Sequence, residues 1–197
     1  MTNKTVTYLL VLVLIAGFFN APAGARNTDT NKAGKKDKMA ADPIVVIETN
    51  KGTIKIQVFK NDAPITSENF LDLVNRGFYN GLTFHRYEPN FVIQGGDPKG
   101  DGTGGFVDPQ TNTERRIALE KKPALRHDQA GIVAMARSNN PDSASCQFYI
   151  TLAPASFLDN PPGYAVFGKV VDGLPVALSL RKGDKMTKVT TEAAVNK

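Results

Sequence analysis

Phe84-His85-Arg86-Tyr87-Glu88-Pro89-Asn90-Phe91-Val92-Ile93-Gln94-Gly95-Gly96-Asp97 is the stretch on which the reading of this chain turns. It contains two short β-rich runs, near 82–87 and 91–94. Strand alternation places Phe84, Arg86, Phe91 and Gln94 so that some of them share a surface. An arginine among aromatics on a strand is unusual, because its charge has to be solvated, paired or used. Taken alone, such a residue could equally lay its stem over apolar surface and send its head to water.

Working outward, Ile44–Thr49 and Thr53–Phe59 are β-branched runs joined by Asn50-Lys51-Gly52, which reads as two strands and a tight turn. Ile54, Ile56 and Val58 alternate with Lys55 and Gln57, one buried face and one wet face. Pro64 opens a helix, since a missing N–H costs nothing in the first turn. Phe70, Leu73, Val74 and Gly77 then fall on one stripe, and Gly77 can close the helix in a left-handed conformation. Further β-rich runs lie near 131–136, 147–151 and 164–171, and a second short helix is expected at Leu174–Leu180, ended by Gly183. Many short strands with few helices suggest a closed or nearly closed antiparallel barrel.

The N-terminal segment has a different composition. Lys4 precedes the apolar run Tyr8–Phe19, and Ala23-Gly24-Ala25 fits a small-x-small cleavage site. This predicts a secretory signal peptide over 1–25, the apolar run being shorter than the roughly 20 residues needed to span a bilayer. An uncleaved anchor is the competing reading. Residues 26–42 have almost no large apolar side chains and read as a flexible linker, so one folded domain is expected over 43–197.

Charge and residue chemistry exclude several function classes. The net charge is +5, but residues 1–42 hold six basic and three acidic side chains, leaving 18 against 16 for the rest. Arg115, Arg116, Lys121 and Lys122 are interrupted by Glu114 and Glu120, so no basic stripe for nucleic acid is expected. With one cysteine and two histidines, no dedicated His/Cys metal site is expected. Gly100–Gly105 contains G-x-G-x-x-G, yet neither follows a clear strand nor opens a helix, and a flexible loop beside a groove is expected instead of a dinucleotide site. No Gly-x-Ser-x-Gly elbow is present. Cys146 with His85 or His127 as a thiol pair is weighed against an inert core cysteine, the more ordinary reading. Ala134 and Ala136 would leave space above a strand or simply pack tightly.

Taken together, these segments resemble the cyclophilin family. The resemblance is carried by Phe84-His85-Arg86, Phe91-x-x-Gln94-Gly95-Gly96-Asp97 and Gly102-Thr103-Gly104-Gly105, then by Gly131 through Met135-Ala136, Ser145-x-Gln147-Phe148-Tyr149-Ile150 and Val166-Phe167-Gly168-Lys169-Val170. It spans about residues 43–195, and Arg137–Ser145 looks more like the bacterial branch. The resemblance implies a mainly β fold: a closed eight-stranded antiparallel barrel capped by two α-helices. It implies peptidyl-prolyl cis/trans isomerase activity, with Arg86 catalytic and a substrate groove lined by Phe91, Val92, Gln94, Ala136, Arg137, Gln147, Tyr149, Phe157, Leu158 and Tyr164. No cofactor or metal would be needed. The expected partners are proline-containing polypeptides, with a monomeric enzyme exported to the periplasm or beyond. Phe157 stands where many members have a tryptophan important for cyclosporin binding, so that drug would bind weakly. Tyr149 replaces a common phenylalanine, and its hydroxyl must find a partner or water. Tyr164 replaces a histidine, Val92 a methionine, and Arg137 an asparagine whose role in the family is largely through its backbone. A groove that binds without turnover is the main rival reading, and a structural envelope protein a weaker one.

Overall fold

The two β-branched runs form β1 (Ile44–Thr49) and β2 (Gly52–Val58), paired antiparallel with Ile47 opposite Ile54. Ile54, Ile56 and Val58 are buried while Lys55 and Gln57 are half-buried, the alternation that the run itself dictates. The computed structural model describes residues 41–192. The signal peptide expected over 1–25 and all but the last two residues of the expected linker lie outside the described residues.

Helix α1 spans Pro64–Asn75 and buries Phe70, Leu73 and Val74. Its N-cap, Ala63, has no side-chain oxygen to offer the free amides of the first turn. Glu120 supplies the acceptors instead, taking the amides of Thr66 at 2.9 Å and Ile65 at 3.3 Å. Just beyond the helix, Gly77 takes φ +67°, the left-handed conformation that suits glycine.

The remaining strands are β3 (Phe84–Glu88), β4 (Val92–Gly95), β5 (Val107–Asp108), β6 (Thr113–Glu114), β7 (Ile132–Met135), β8 (Phe148–Thr151), β9 (Val166–Asp172) and β10 (Met186–Thr191). Helix α2 covers Leu174–Ser179, with 3₁₀ turns at Pro141–Ser143 and Ser156–Asp159. Eight strands make one sheet in the order β10-β1-β2-β9-β7-β8-β4-β3, and β5 with β6 forms a separate small hairpin. Every pairing is antiparallel.

The expected closed barrel needs one correction. The ladder does not run all the way round: β3 and β10 are the two ends of the sheet. They meet through the isolated bridge Thr83–Lys185 and through backbone bonds of the turns beside them, Phe84 N to Asp184 O at 2.8 Å and Met186 N to Leu82 O at 2.9 Å. Further along β10, the Val189 amide is taken by the Asn80 side chain at 2.8 Å. A side chain thus satisfies an edge amide that a continuous ladder would have used.

The middle strands are apolar on both faces. Facing inward, Val133, Ile93, Phe148, Ile150 and Phe167 join Ile47, Ile54, Ile56 and Phe70 in the main core. Phe70 of α1 plugs one end, its ring centroid 4.9 Å from Phe167 and 5.4 Å from Phe148. Fully burying one such side chain contributes roughly 1.5–3 kcal/mol. Facing outward, Val92, Ile132, Ala134, Tyr149 and Val166 form a second apolar cluster with Ala155 and Leu158. A barrel strand that faced water outside would show alternation; β7 and β8 are buried throughout and read as unbroken apolar runs. The outer cluster is the base on which the groove is built.

Candidate functional site

Two connected cavities lie on the outer face of the sheet over that cluster. The smaller, about 100 Å³, is lined by Arg86, Phe91, Val92, Gln94, Ala136, Arg137, Tyr149, Leu158 and Tyr164. The larger, about 310 Å³, shares Gln94, Ala136 and Arg137 with it and extends to Gln147 and the backbone of Gly102–Gly104. Nine of the eleven residues expected from sequence therefore line the smaller cavity, and Gln147 lines its neighbour. Phe157 lines neither. It is 62% exposed, and its ring stands 5.3 Å from that of Phe91 at the rim.

Arg86 comes from β3 and Gln94 from β4, and register makes them direct partners across the ladder. Arg86 Nη1 donates to Gln94 Oε1 at 3.3 Å, and its guanidinium carbon lies 5.8 Å from the Phe91 ring centroid. Its Nε is 3.5 Å from the exposed Glu88 carboxylate. Gln94 passes the orientation on: its Nε2 donates to Gln147 Oε1 at 2.9 Å. Gln147 Nε2 in turn donates to the carbonyls of Gly102 and Gly104, at 3.0 and 2.8 Å. One amide thus fixes the next, so the guanidinium is aimed by a chain of side chains anchored on the glycine loop.

That loop is less free than its composition suggests. The buried Asp97 carboxylate accepts from the amides of Lys99 at 2.8 Å and Asp101 at 3.1 Å, and also from Gly102. Burial alone would raise the Asp97 pKa, but these amide donors outweigh it and hold it below the ordinary carboxylate value. A β-carbon at Gly104 would collide with the same carboxylate, so the closeness of loop to Asp97 depends on glycine there. The loop expected to be flexible is pinned into one shape. His85, next to Arg86, is buried below it, and desolvation lowers its pKa and favours the neutral ring.

The apolar side of the smaller cavity is a stack of rings. Tyr149 on β8 packs edge-on to Tyr164 at 5.9 Å, and Arg137 lies over Tyr164 at 4.5 Å. The Arg137 guanidinium is held by the Gly163 carbonyl at 2.9 and 2.7 Å and by the Ser138 carbonyl at 2.7 Å. Ala134 is core and Ala136 faces both cavities, so the two small residues have different roles. The Tyr149 hydroxyl finds its partner in His127 Nε2 at 2.9 Å, and His127 Nδ1 meets Asp159 Oδ1 at 2.7 Å. His127 is entirely buried. Sequence reading missed it as a site residue, because its partners lie 22 and 32 positions away and no local pattern announces them. The thiol pair is not assembled: Cys146 is buried against the main core, and its carbonyl, like the Tyr79 hydroxyl that donates to it at 2.9 Å, belongs to structure.

Comparison with known proteins fits this geometry. Residues 44–196 match the family model described as cyclophilin type peptidyl-prolyl cis-trans isomerase/CLD. A peptidyl-prolyl cis-trans isomerase A from Dickeya dadantii is 37% identical over 193 residues, covering 96% of this chain and 87% of that protein. One from Acinetobacter baylyi is 41% identical over 159 residues, with 77% and 75% covered. A cyclophilin type isomerase from Cryptosporidium parvum, crystallised in the presence of the dipeptide Ala-Pro, superposes with a TM-score of 0.67 at 30% identity. The match covers 76% of this chain and 99% of that one.

Proposed function

Because the chain belongs to the cyclophilin type peptidyl-prolyl cis-trans isomerase family and is an isomerase of X–Pro bonds, we propose that Arg86 is its catalytic residue and the 100 Å³ cavity its proline pocket. Rotation about an X–Pro amide is opposed by resonance, with a barrier of about 18–20 kcal/mol, and spontaneous exchange takes roughly tens to hundreds of seconds. No covalent bond has to form. The protein needs only to bind the twisted amide better than either planar isomer.

In the twisted state the prolyl nitrogen turns pyramidal and regains a lone pair, which can accept a hydrogen bond. Arg86 is placed to donate it, being permanently charged and oriented by Gln94. Phe91, Val92, Tyr149 and Leu158 hold the ring on the apolar side. Gln94 and the backbone near Arg137 fix the carbonyl of the preceding residue, so one side of the bond is clamped while the other turns. The observation that carries this reading is the convergence of Arg86, Phe91 and Gln94 on one cavity floored by an apolar cluster.

Arg86→Ala is expected to lower kcat/KM on a Pro-containing peptide at least about a hundredfold, roughly 3 kcal/mol of transition-state stabilisation. A protease-coupled assay reads it directly, and near-normal turnover in a folded variant removes Arg86 from the role. The substrates are proline-containing segments of proteins that are themselves exported, reached by way of the signal peptide over 1–25. A periplasmic location is supported by that leader and by the likeness to bacterial relatives. Weak cyclosporin binding follows from Phe157, whose single ring offers less surface than an indole.

A further inference from the structure

Beneath the pocket runs a polar chain that the rotation itself does not require. Asp159 Oδ1 meets His127 Nδ1 at 2.7 Å, and His127 Nε2 meets the Tyr149 hydroxyl at 2.9 Å. The imidazole also lies nearly parallel to the Tyr149 ring, 5.9 Å away at 21°. Asp159 is secured twice more, by the His127 amide at 3.3 Å and by the Arg126 guanidinium at 3.5 Å. A carboxylate facing Nδ1 requires the proton there, which leaves Nε2 of the neutral ring bare and the tyrosine hydroxyl as donor.

From this geometry we infer that His127 is a positioning residue for the isomerase reaction: locked by Asp159, it fixes the Tyr149 ring and so sets the shape of the proline pocket. The inference rests on the proposed pocket. Tyr149 is 4% exposed and lies between His127 on one side and Tyr164 on the other. A buried hydroxyl without a partner is costly, so the ring stays where His127 can accept from it. A phenylalanine at the same place would be held by packing alone.

Two substitutions separate the halves of the chain. His127→Asn keeps a polar atom near the Nδ1 position for Asp159 and abandons Tyr149. His127→Gln reaches the Nε2 position for Tyr149 and gives up the aspartate. On the full chain, His127→Asn is expected to raise KM for a Pro-peptide about fivefold or more with kcat within about twofold, the pattern of lost uniform binding. His127→Gln should lie nearer the wild type. In a Tyr149→Phe background, exchanging His127 for Asn should then change KM by less than about twofold, because the partner is already gone.

An equal effect of His127→Asn in both backgrounds overturns the inference and leaves His127 a brace for the 155–159 loop. Asn nearer the wild type than Gln overturns it as well. Should the variants fail to fold, nitrogen NMR of the wild-type protein, which has only two histidines, decides: Nδ1 protonated with Nε2 bare is expected, and a neutral ring protonated on Nε2 refutes the chain. Arg86→Ala run alongside keeps the cases apart. Unchanged turnover there defeats the proposed pocket, whereas a large loss there without coupling at His127 defeats this inference alone.

Discussion

Cys146 has its side chain wholly buried beside Phe148, and burial pushes its thiol up to about 12. The thiolate is the reactive species, so native protein at pH 8 is expected to resist iodoacetamide and to take up one label once denatured. Mass spectrometry checks this, and stoichiometric labelling of folded protein contradicts it. The same residue illustrates what the sequence made legible. An apolar neighbourhood argued for an inert cysteine, and the folded chain agrees. Arg86, Phe91 and Gln94 were readable because the short motifs that carry the resemblance hold them at fixed spacing, on two adjacent strands and the turn between. Phe157 was expected in the groove from the resemblance alone; its place at the rim appears only in the folded chain, in its ring contact with Phe91. His127 was not readable in its role at all, since three separate segments must fold before Asp159, His127 and Tyr149 meet.

The segment from Asp97 to Gly105 behaves as an element although it has no regular secondary structure. Its amides converge on the Asp97 carboxylate, whose pKa is held below the ordinary value of 3.8. The folded state therefore prefers the charged form more strongly than the unfolded chain does. That contribution is present in full above about pH 3.8 and is lost as pH falls through the still lower folded value. The difference in Tm between the wild type and Asp97→Asn is expected to be largest near neutrality and to shrink on acidification toward pH 3. A difference that is constant with pH counts against the carboxylate as the pin. Among regular elements, β1, β2 and α1 could be read from periodicity. The last strand, β10, could not: Met186-Thr-Lys-Val-Thr-Thr191 buries Met186 and Val189 three residues apart. Its register against β1 shifts between Glu48 and Thr49, so strict alternation is broken. Pairing, not pattern, makes it a strand. The start of α1 was similarly opaque in its capping, because Glu120 reaches it from 54 positions away.

At the scale of the whole chain, the folded part is close to electrically balanced, and most of the surplus of positive charge sits in the first 42 residues. Export followed by cleavage after Ala25 would remove one of those six basic residues, Lys4, and leave Arg26 as the new N-terminus. Intact-mass measurement of protein recovered from the periplasm of an expressing bacterium is expected to give a chain beginning at Arg26. Recovery of the uncleaved chain in the membrane fraction would favour the anchor. The sheet itself has one more consequence. Since β3 and β10 share no continuous ladder and meet where Gly81–Phe84 lies against Gly183–Met186, the sheet is a split ring held by a clasp. Arg86 sits two residues past that clasp on the edge strand β3, so the donor is mounted at the rim of the sheet and braced across the ladder by Gln94 of β4.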